Sequence, residues 1–309
     1  MYANTNRGNT NTGVIIRKTR NHYLIQTGSD CIEGTLSTRL KNEADFDCVA
    51  VGDVVTWNDA AQITEVLPRR NWLSRRGAVP MPGGYAQEQV LIANVDQIVP
   101  VFAAANPRPA WNLLDRFLVS AESSEIPALI CLTKMDLVEG DQLAEIEAIA
   151  SEYAAIGYDV VLTSTATGRG LDDLKSRLQG RLSALVGKSG VGKTSLLNAV
   201  EPGLGLRVQS TSKATGKGRH TTTMSEIFTL ASGGAIADTP GIREFGLWDV
   251  AEDDLAWFFP EMRPFLGHCK FNLGCRHDEE PGCAIRKAVV EGQISPYRYQ
   301  SYLKLRDEA

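Results

Sequence analysis

The sequence contains no apolar run approaching the roughly 18–20 residues that a membrane-spanning helix needs. Its first ten residues lack the apolar core of a signal peptide, so we expect a disordered tail over 1–12 on a cytoplasmic protein without membrane contacts. An excess of positive charge is also missing, since 32 Lys and Arg against 37 Asp and Glu give a net charge of −5. This balance excludes a protein that coats nucleic acid with its whole surface, and any polyanion contact must be local.

Cysteine is scarce, with 6 in 309 residues, but three of the six lie close to a histidine near the C-terminus. The spacing Cys269-x5-Cys275-x-His277-x5-Cys283 supplies four ligands that suit tetrahedral Zn²⁺. Because the protein supplies all four, the pattern predicts one closed, structural zinc site. His268 adjoins the first cysteine and stays open as a ligand. The alternative is three free thiols and a surface histidine.

Four segments follow from composition and periodicity. Short β-branched runs separated by turn residues over 13–72 predict a small closed barrel, and the basic, Pro- and Gly-rich stretch 73–89 predicts a linker. Strand and helix patterns then alternate over 90–248, which predicts a parallel sheet wrapped in helices. Residues 249–309 are mainly helical and contain the predicted zinc site.

A phosphate-binding loop is the most specific motif in the chain. The pattern G-x-x-x-x-G-K-[ST] follows a short apolar strand and opens a helix, which is the context that supports such a match. Its glycines leave backbone N–H groups free to surround phosphate oxygens, while Lys193 neutralises the outer phosphates and Thr194 offers a hydroxyl to Mg²⁺. The candidate nucleotide-binding residues here are Gly187, Lys188, Ser189, Gly190, Val191, Gly192, Lys193, Thr194 and Ser195.

A second motif indicates which base is bound. Thr133-Lys134-Met135-Asp136 ends a buried strand, where sheets of this class place ligand contacts. The carboxylate of Asp136 can accept hydrogen bonds from the N1–H and exocyclic amine of guanine, and adenine lacks both donors. Ser164 and Thr165 follow the next strand and supply a small polar loop behind the base. Together with the phosphate loop, this pattern favours guanine.

Two further elements complete a nucleotide switch. Asp238 ends a strand and can hold Mg²⁺ through water, and the N–H of Gly241 can reach a γ-phosphate. Between the phosphate loop and Asp238 lies the segment 218–223, in which one of the three threonines can close on Mg²⁺; Thr222 is the candidate, and Thr221 and Thr223 stay open.

In this sequence the base motifs precede the phosphate loop, which precedes Asp238, whereas Ras-like GTPases have the base motifs last. The chain therefore resembles the circularly permuted, small-ribosomal-subunit-dependent GTPases of bacterial ribosome biogenesis, the RsgA family. The resemblance implies an OB-type barrel, a permuted α/β P-loop GTPase domain and a C-terminal zinc domain. It also implies a monomer that hydrolyses GTP with Mg²⁺, binds the small ribosomal subunit and its rRNA, and assists late maturation beside other assembly factors.

The departures from the family pattern concern the base and the attacking water. Thr133 stands where the family usually has Asn, which removes an amide donor, and Thr165 replaces a common Ala. Ile242 occupies the position of the water-orienting Gln of Ras-like enzymes, so we expect slow hydrolysis that the small subunit stimulates. Besides Lys193, the candidate catalytic residue is His220, and the alternative for it is an exposed loop histidine.

Two other groups of residues remain, of which the first allows two interpretations. Arg69, Arg70, Arg75 and Arg76 flank the barrel, either as a solvated linker or as contacts to rRNA phosphates. Four aromatic residues are predicted to form interdomain core: Trp248, Trp257, Phe258 and Phe259.

Two rival functions stay open beside a GTPase. One is a GTP-gated RNA-binding module whose hydrolysis is incidental. The other is a P-loop kinase or ATPase, which Asp136 and the absence of an acceptor-substrate motif disfavour.

Overall fold

The computed structural model describes residues 11–19, 21–43, 48–76, 88–204, 225–238 and 250–308. Its first part is the predicted closed barrel, with strand order β1-β2-β3-β5-β4 and a β1–β4 pairing that closes it. Alternate side chains point inward and are fully buried, as at Ile15, Ile25 and Ile63. The elements are β1 (Asn11–Lys18), β2 (Tyr23–Thr27), β3 (Asp30–Leu36), α1 (Thr38–Glu43), β4 (Val54–Trp57) and β5 (Gln62–Val66).

Both ends of the barrel differ from the sequence prediction. Asn11 and Thr12 belong to β1 rather than to a disordered tail, because their backbone pairs with Trp57 and Thr56 of β4. The predicted linker 73–89 is partly strand, since β6 (Trp72–Arg76) pairs antiparallel with β7 (Glu88–Ala93). Leu73 and Ile92 face each other in this pair and are fully buried, which explains why β6 and β7 pair despite the arginines of β6.

A central sheet follows, as the strand–helix alternation predicts. Five parallel strands lie in the order β10-β9-β8-β11-β13, and β12 joins β13 antiparallel. Every residue of β8, β9 and β11 is buried, as expected for strands covered on both faces. The strands are β8 (Gln97–Ala103), β9 (Leu129–Thr133), β10 (Asp159–Leu162), β11 (Leu182–Val186), β12 (Ser225–Thr229) and β13 (Ala235–Asp238), and the helices are α2 (Trp111–Ser123), α3 (Gly140–Ile156), α4 (Leu171–Leu178) and α5 (Lys193–Val200).

The barrel and the central sheet are joined by hydrogen bonding into one sheet of eleven strands. β1 pairs antiparallel with β12 through Arg17 with Glu226 and Lys18 with Ser225. The Nε of Arg17 also donates to the Glu226 carboxylate at 2.7 Å. Strand β1 therefore belongs to the barrel and also pairs with the edge strand of the central sheet.

The C-terminal part consists of short helical turns and two helices. The turns span Glu252–Phe258, Pro260–Phe265 and Asn272–Gly274, and the helices are α6 (Ala284–Val290) and α7 (Pro296–Arg306). Phe259 is fully buried beside Val119 of α2, as predicted for interdomain core. Trp257 contradicts that prediction because 56% of it is exposed, and Trp248 lies outside the described residues. No helix in the described ranges has the length and apolar character needed to cross a membrane.

Candidate nucleotide site and metal centre

The predicted nucleotide-binding motifs gather at one edge of the central sheet. β8, β9, β10, β11 and β13 run parallel, so their carboxyl ends meet there. The base motif 133–136 begins at the end of β9, Ser164 and Thr165 follow β10, and the phosphate loop 187–194 follows β11. This edge is where open α/β sheets bind ligands.

The phosphate loop depends on glycines at positions that other residues would strain. Gly187, Gly190 and Gly192 all have positive φ, at 147°, 84° and 99°. A Cβ on Gly187 would lie 2.4 Å from the carbonyl oxygen of Val101, so no larger residue fits there. Gly192 forms the N-cap of α5, which directs free N–H groups of the first helical turn toward the loop.

Lys193 lies across the loop that it follows. Its Nζ donates to the carbonyl oxygens of Gly187 at 2.5 Å and Lys188 at 2.9 Å. The ammonium group is therefore held at the loop, where it can offset the charge of phosphate oxygens. Lys188 and Ser189 are exposed, Val191 is buried, and Thr194 and Ser195 are half-buried in the first turn of α5.

The base motif and the phosphate loop are joined by two side chains. The buried Thr133 donates through Oγ1 to the carbonyl oxygen of Val191 at 2.5 Å. Lys134 has a left-handed backbone with φ of 58°, and its Nζ donates to the carbonyl oxygen of Gly190 at 2.7 Å and also to that of Asn106. The hydroxyl of Thr133 therefore makes a contact that the predicted loss of an amide donor did not anticipate.

Asp136 is presented at the surface with one oxygen occupied. Ser164, fully buried, donates through Oγ to Oδ1 of Asp136 at 2.5 Å. The same Oγ accepts from the N–H groups of Ala166 and Thr167, each at 3.2 Å, which fixes its orientation. Met135 is buried, whereas Asp136 and Thr165 are exposed. The carboxylate is thus oriented by the protein and still accessible to donors of a base.

The remaining predicted residues of the nucleotide site are less completely described. Asp238 is the last residue of β13, whose backbone pairs with β11 through Ala237 and Ala184, so its backbone lies beside the strand that leads into the phosphate loop. Thr222, Gly241 and His220 lie outside the described residues, as does Ile242.

The four predicted zinc ligands lie together in the C-terminal part. Cys269, Cys275, His277 and Cys283 are all buried, and their ligand atoms lie within 4.8 Å of one another. The Sγ atoms of Cys269 and Cys283 are 3.9 Å apart, and each lies 3.5 Å from Nδ1 of His277. A tetrahedron with Zn–S bonds of about 2.3 Å has edges of about 3.8 Å, so these separations fit a zinc ion. His268 is exposed and outside the cluster.

Burial sets the protonation of these ligands. It raises the pKa of Cys275 to about 12 and that of Cys283 above its usual value, and it lowers the pKa of His277. A metal ion would therefore displace thiol protons on binding and would meet a neutral imidazole. The N–H groups of Ala284 and Arg286 point at the sulfurs of Cys269 and Cys283, at 3.3 and 3.5 Å, and would support thiolates.

Helix α7 holds the loop that carries the histidine ligand. Tyr299 donates through Oη to the carbonyl oxygen of His277 at 2.6 Å, and Tyr302 donates to that of Arg276 at 2.9 Å. Arg306 donates to the same Arg276 carbonyl at 2.9 Å. His277 has a left-handed backbone with φ of 61°, and these bonds keep it there.

A buried ionic group that the sequence analysis did not identify connects the C-terminal part to helices α2 and α3. Arg298 of α7 is 2% exposed and pairs with Asp115 of α2 at 2.6 Å and with Glu261 at 2.7 Å. Tyr153 of α3 donates to the same Asp115 oxygen at 2.7 Å. Burial lowers the pKa of Arg298, but the charges of Asp115 and Glu261 outweigh it and hold the pKa well above the usual value. No periodic pattern marks a single buried arginine between the exposed Tyr297 and the half-buried Tyr299.

The arginines beside the barrel have partners within the protein. Arg69 donates to the fully buried carboxylate of Asp53 at 2.7 and 2.8 Å, and Arg70 pairs with Asp96 at 2.6 Å. Arg75 donates to Gln89 at 2.9 Å. The interpretation of Arg69 as a solvated linker residue is wrong, because it neutralises a buried charge.

Comparison with known proteins shows which family has this sequence and this arrangement of motifs. A family model described as RsgA GTPase matches residues 66–248. A protein of Gemmatimonas aurantiaca named small ribosomal subunit biogenesis GTPase RsgA is 46% identical over 305 residues, covering 96% of this chain and 97% of that protein. A protein of the same name from Pseudomonas aeruginosa is 41% identical over 285 residues, covering 91% of this chain and 81% of that protein.

Two solved structures match this fold over nearly the whole chain. YjeQ from Thermotoga maritima matches with a TM-score of 0.78 at 30% identity, covering 97% of this chain and 98% of that one. YloQ, described as a circularly permuted GTPase, matches with a TM-score of 0.73 at 33% identity, covering 99% and 97%.

Proposed function

Since this chain belongs to the RsgA GTPase family, we propose that it hydrolyses GTP to GDP and phosphate and assists late maturation of the small ribosomal subunit in the cytoplasm. The observation that carries the proposal is the bonding of Thr133 and Lys134 to the phosphate loop. It fixes a base-recognition motif and a phosphate cradle as one unit, as a nucleoside triphosphate requires.

Guanine is the base that the site supports. Ser164 occupies one oxygen of Asp136 and orients the carboxylate, while the side chain stays exposed. The carboxylate accepts from N1–H and the exocyclic amine of guanine, and it would face an acceptor if adenine were bound.

Different groups of the chain bind the phosphates and neutralise their charge. Backbone N–H groups of 187–194 surround the phosphate oxygens, and Lys193 offsets charge that develops on the leaving phosphate. Thr194 and Asp238 would hold Mg²⁺, joined by Thr222 in the triphosphate state, and Gly241 would contact the γ-phosphate. When bound, Mg²⁺ neutralises the β- and γ-phosphate oxygens.

We assign to His220 the role of orienting the attacking water. Ile242 follows the Asp-x-x-Gly element, and an alkyl side chain cannot orient water. His220 lies between Lys217 with Arg219 and three threonines, in a segment whose positive charge suits contact with rRNA phosphates. Docking on the small subunit would then place the imidazole near the water, which accounts for slow turnover alone and faster turnover on the subunit.

The metal centre has a structural role in this proposal. All four ligands come from the chain and are buried, so one Zn²⁺ would have no open coordination position. Its contribution is to hold the C-terminal part, which a monomeric protein presents to the small subunit beside other assembly factors.

A GTP-gated RNA-binding module is the second candidate. It is favoured by the barrel, whose sheet continues into β12, and β12 pairs with the strand that ends at Asp238. Multiple-turnover GTP hydrolysis with and without small ribosomal subunits separates the two. A GTPase of this kind turns over markedly faster with subunits, whereas a module shows no stimulation. Co-sedimentation with subunits in GDP and in a non-hydrolysable GTP analogue then shows which nucleotide state binds.

A further inference from the structure

A row of three charged residues runs from the barrel to the strand that ends in Asp238. Arg17 of β1 is the register partner of Glu226 of β12, and Glu226 is the register partner of Asp238, the last residue of β13. The row therefore holds two acidic residues followed by one basic residue. Its inner end is the residue proposed above to hold Mg²⁺, and its outer end belongs to the barrel.

The register alone places two negative charges in an unfavourable position. Glu226 and Asp238 are directly opposite each other in an antiparallel ladder, where Cα atoms lie about 4.5–5.5 Å apart. Like charges at such positions repel each other. A bound Mg²⁺ would relieve this repulsion, so a carboxylate at Glu226 that lacked a cation would strengthen the attraction for Mg²⁺.

Arg17 supplies the compensating positive charge. Its Nε donates to Oε1 of Glu226 at 2.7 Å, and its Nη2 donates to the same oxygen. Only 25% of the Glu226 side chain is exposed, so solvent screens this pair less than a fully exposed one. Lys18, the next residue of β1, donates to the carbonyl oxygen of Val49 in the barrel. The contacts therefore give Arg17 the role of neutralising Glu226.

The other groups at this edge of the sheet suit Mg²⁺. Asp238 and Thr194 offer a carboxylate and a hydroxyl, and such oxygen ligands are the ones that Mg²⁺ prefers. β13 pairs with β11, and the phosphate loop with Thr194 follows β11, so the backbones of both residues belong to the same edge. Glu226 is one strand away, which is within the screening length of about 8 Å at physiological salt.

We infer that Arg17 of the barrel sets the Mg²⁺ affinity of the nucleotide site by neutralising Glu226. Arg17 acts through Glu226, so it is a positioning residue and not a catalytic one. With the pair intact, Glu226 adds no net charge beside Asp238. A contact on the barrel that drew the guanidinium away would leave the carboxylate uncompensated and tighten Mg²⁺ binding. The inference rests on the proposed function, in which Asp238 holds Mg²⁺.

The two members of the pair should shift the Mg²⁺ affinity in opposite directions. The full-length protein is loaded with a fluorescent GDP analogue, and the rate of its displacement by excess GDP is measured over a series of Mg²⁺ concentrations. Arg17→Met should lower the Mg²⁺ concentration that half-maximally slows release by roughly threefold. Glu226→Gln leaves Arg17 uncompensated and should raise this midpoint roughly threefold. The double variant carries neither charge and should return to within about 1.5-fold of the parent.

A second ion pair provides the matched control. Arg70 pairs with Asp96 at 2.6 Å, and Asp96 directly precedes β8, at the edge of the sheet opposite to the nucleotide site. Arg70→Met and Asp96→Asn make the same changes in charge and should leave the midpoint within about 1.5-fold. In 1 M KCl the screening length falls to about 3 Å, so the shifts of the Arg17 and Glu226 variants should disappear.

Two results would overturn the inference alone. Midpoints that move in the same direction in Arg17→Met and Glu226→Gln, or not at all, would show that the pair only holds β1 against β12. Equal shifts in the control pair would show a general effect of net charge. Asp238→Asn separates these failures from that of the proposed function. If that variant keeps the parent's midpoint, or if release from the parent does not depend on Mg²⁺, Asp238 does not hold Mg²⁺ and both proposals are wrong.

Discussion

Thr133 Oγ1 lies 2.5 Å from the carbonyl oxygen of Val191, which connects the end of β9 to the middle of the phosphate loop. The same hydroxyl lies 3.3 Å from the carbonyl oxygen of Phe102 on β8. A threonine in this position therefore acts through the backbone of its neighbours and need not touch the base itself. The loop and the base motif should respond together when this hydroxyl is removed.

Thr133→Val tests that coupling. The substitution keeps the shape and removes one buried hydrogen bond, so the binding free energy of GTP should fall by about 1 kcal/mol, or roughly fivefold in Kd. Titration of a fluorescent GTP analogue measures it. Thr165→Ala serves as the control, because Thr165 is exposed and should bind as the parent does. Unchanged affinity in Thr133→Val would show that the loop holds its shape without this contact.

Asp136→Asn tests the choice of base. The amide replaces a carboxylate oxygen by a donor, which should weaken GTP binding and admit xanthosine triphosphate, whose C2 position carries an acceptor. Competition of both nucleotides against a labelled guanine nucleotide gives the ratio of affinities. A variant that keeps the parent's preference for guanine would remove Asp136 from the site.

His220→Ala tests the assignment of the attacking water. Turnover stimulated by small subunits should fall to the unstimulated rate, while Kd for GTP stays unchanged. His22→Ala is the matched control, since His22 is exposed on the barrel and should retain full stimulation. Strong stimulation of the His220 variant would mean that another residue activates the water.

Removal of a zinc ligand tests the metal centre. The purified protein should contain about one Zn²⁺ per chain, and Cys275→Ala should lose it while GTP binding persists. Cys31→Ala changes an exposed thiol of β3 and should keep the metal. Elemental analysis decides the matter, and protein purified without chelators that holds no zinc would contradict the assignment.

Arg298→Met tests the connection between helices α7 and α2. Removing the guanidinium leaves Asp115 and Glu261 buried without their cation, which should lower the free energy of unfolding by about 3–5 kcal/mol. Arg177→Met breaks exposed pairs with Asp159 and Asp173 and should cost below about 1 kcal/mol. Urea denaturation of both variants gives the comparison, and equal losses would show that the buried group contributes little.

Local pattern predicted most of the fold. The alternation of strands and helices predicted over 90–248 is observed, for example as helix α3 at Gly140–Ile156 followed by strand β10 at Asp159–Leu162. Such elements depend on the spacing of apolar residues within one short segment. The β1–β12 pairing was not predictable, because Arg17 and Glu226 are 209 positions apart and the ladder between their strands is only two pairs long.

In the candidate site, too, features set by local sequence were predicted and features set by distant contacts were not. The phosphate loop and the base motif are contiguous and the zinc ligands lie within 15 residues, so their chemistry is visible in the sequence. The burial of Arg298 and the exposure of Trp257 depend on which distant segments pack beside them. Neither residue has a local signal, and the sequence prediction for Trp257 was wrong for that reason.

The strand order of the central sheet has a consequence for synthesis on the ribosome. β8, β9 and β10 leave the exit tunnel before β11, yet β11 pairs with the open side of β8. Until residue 186 has emerged, the nascent chain presents the unpaired edge of β8, a strand whose residues are all buried in the folded protein. At about 5–20 residues per second, the interval between β8 and β11 lasts several seconds. The order of the GTPase motifs along this chain therefore leaves the edge of β8 without its neighbour while the intervening residues are synthesised.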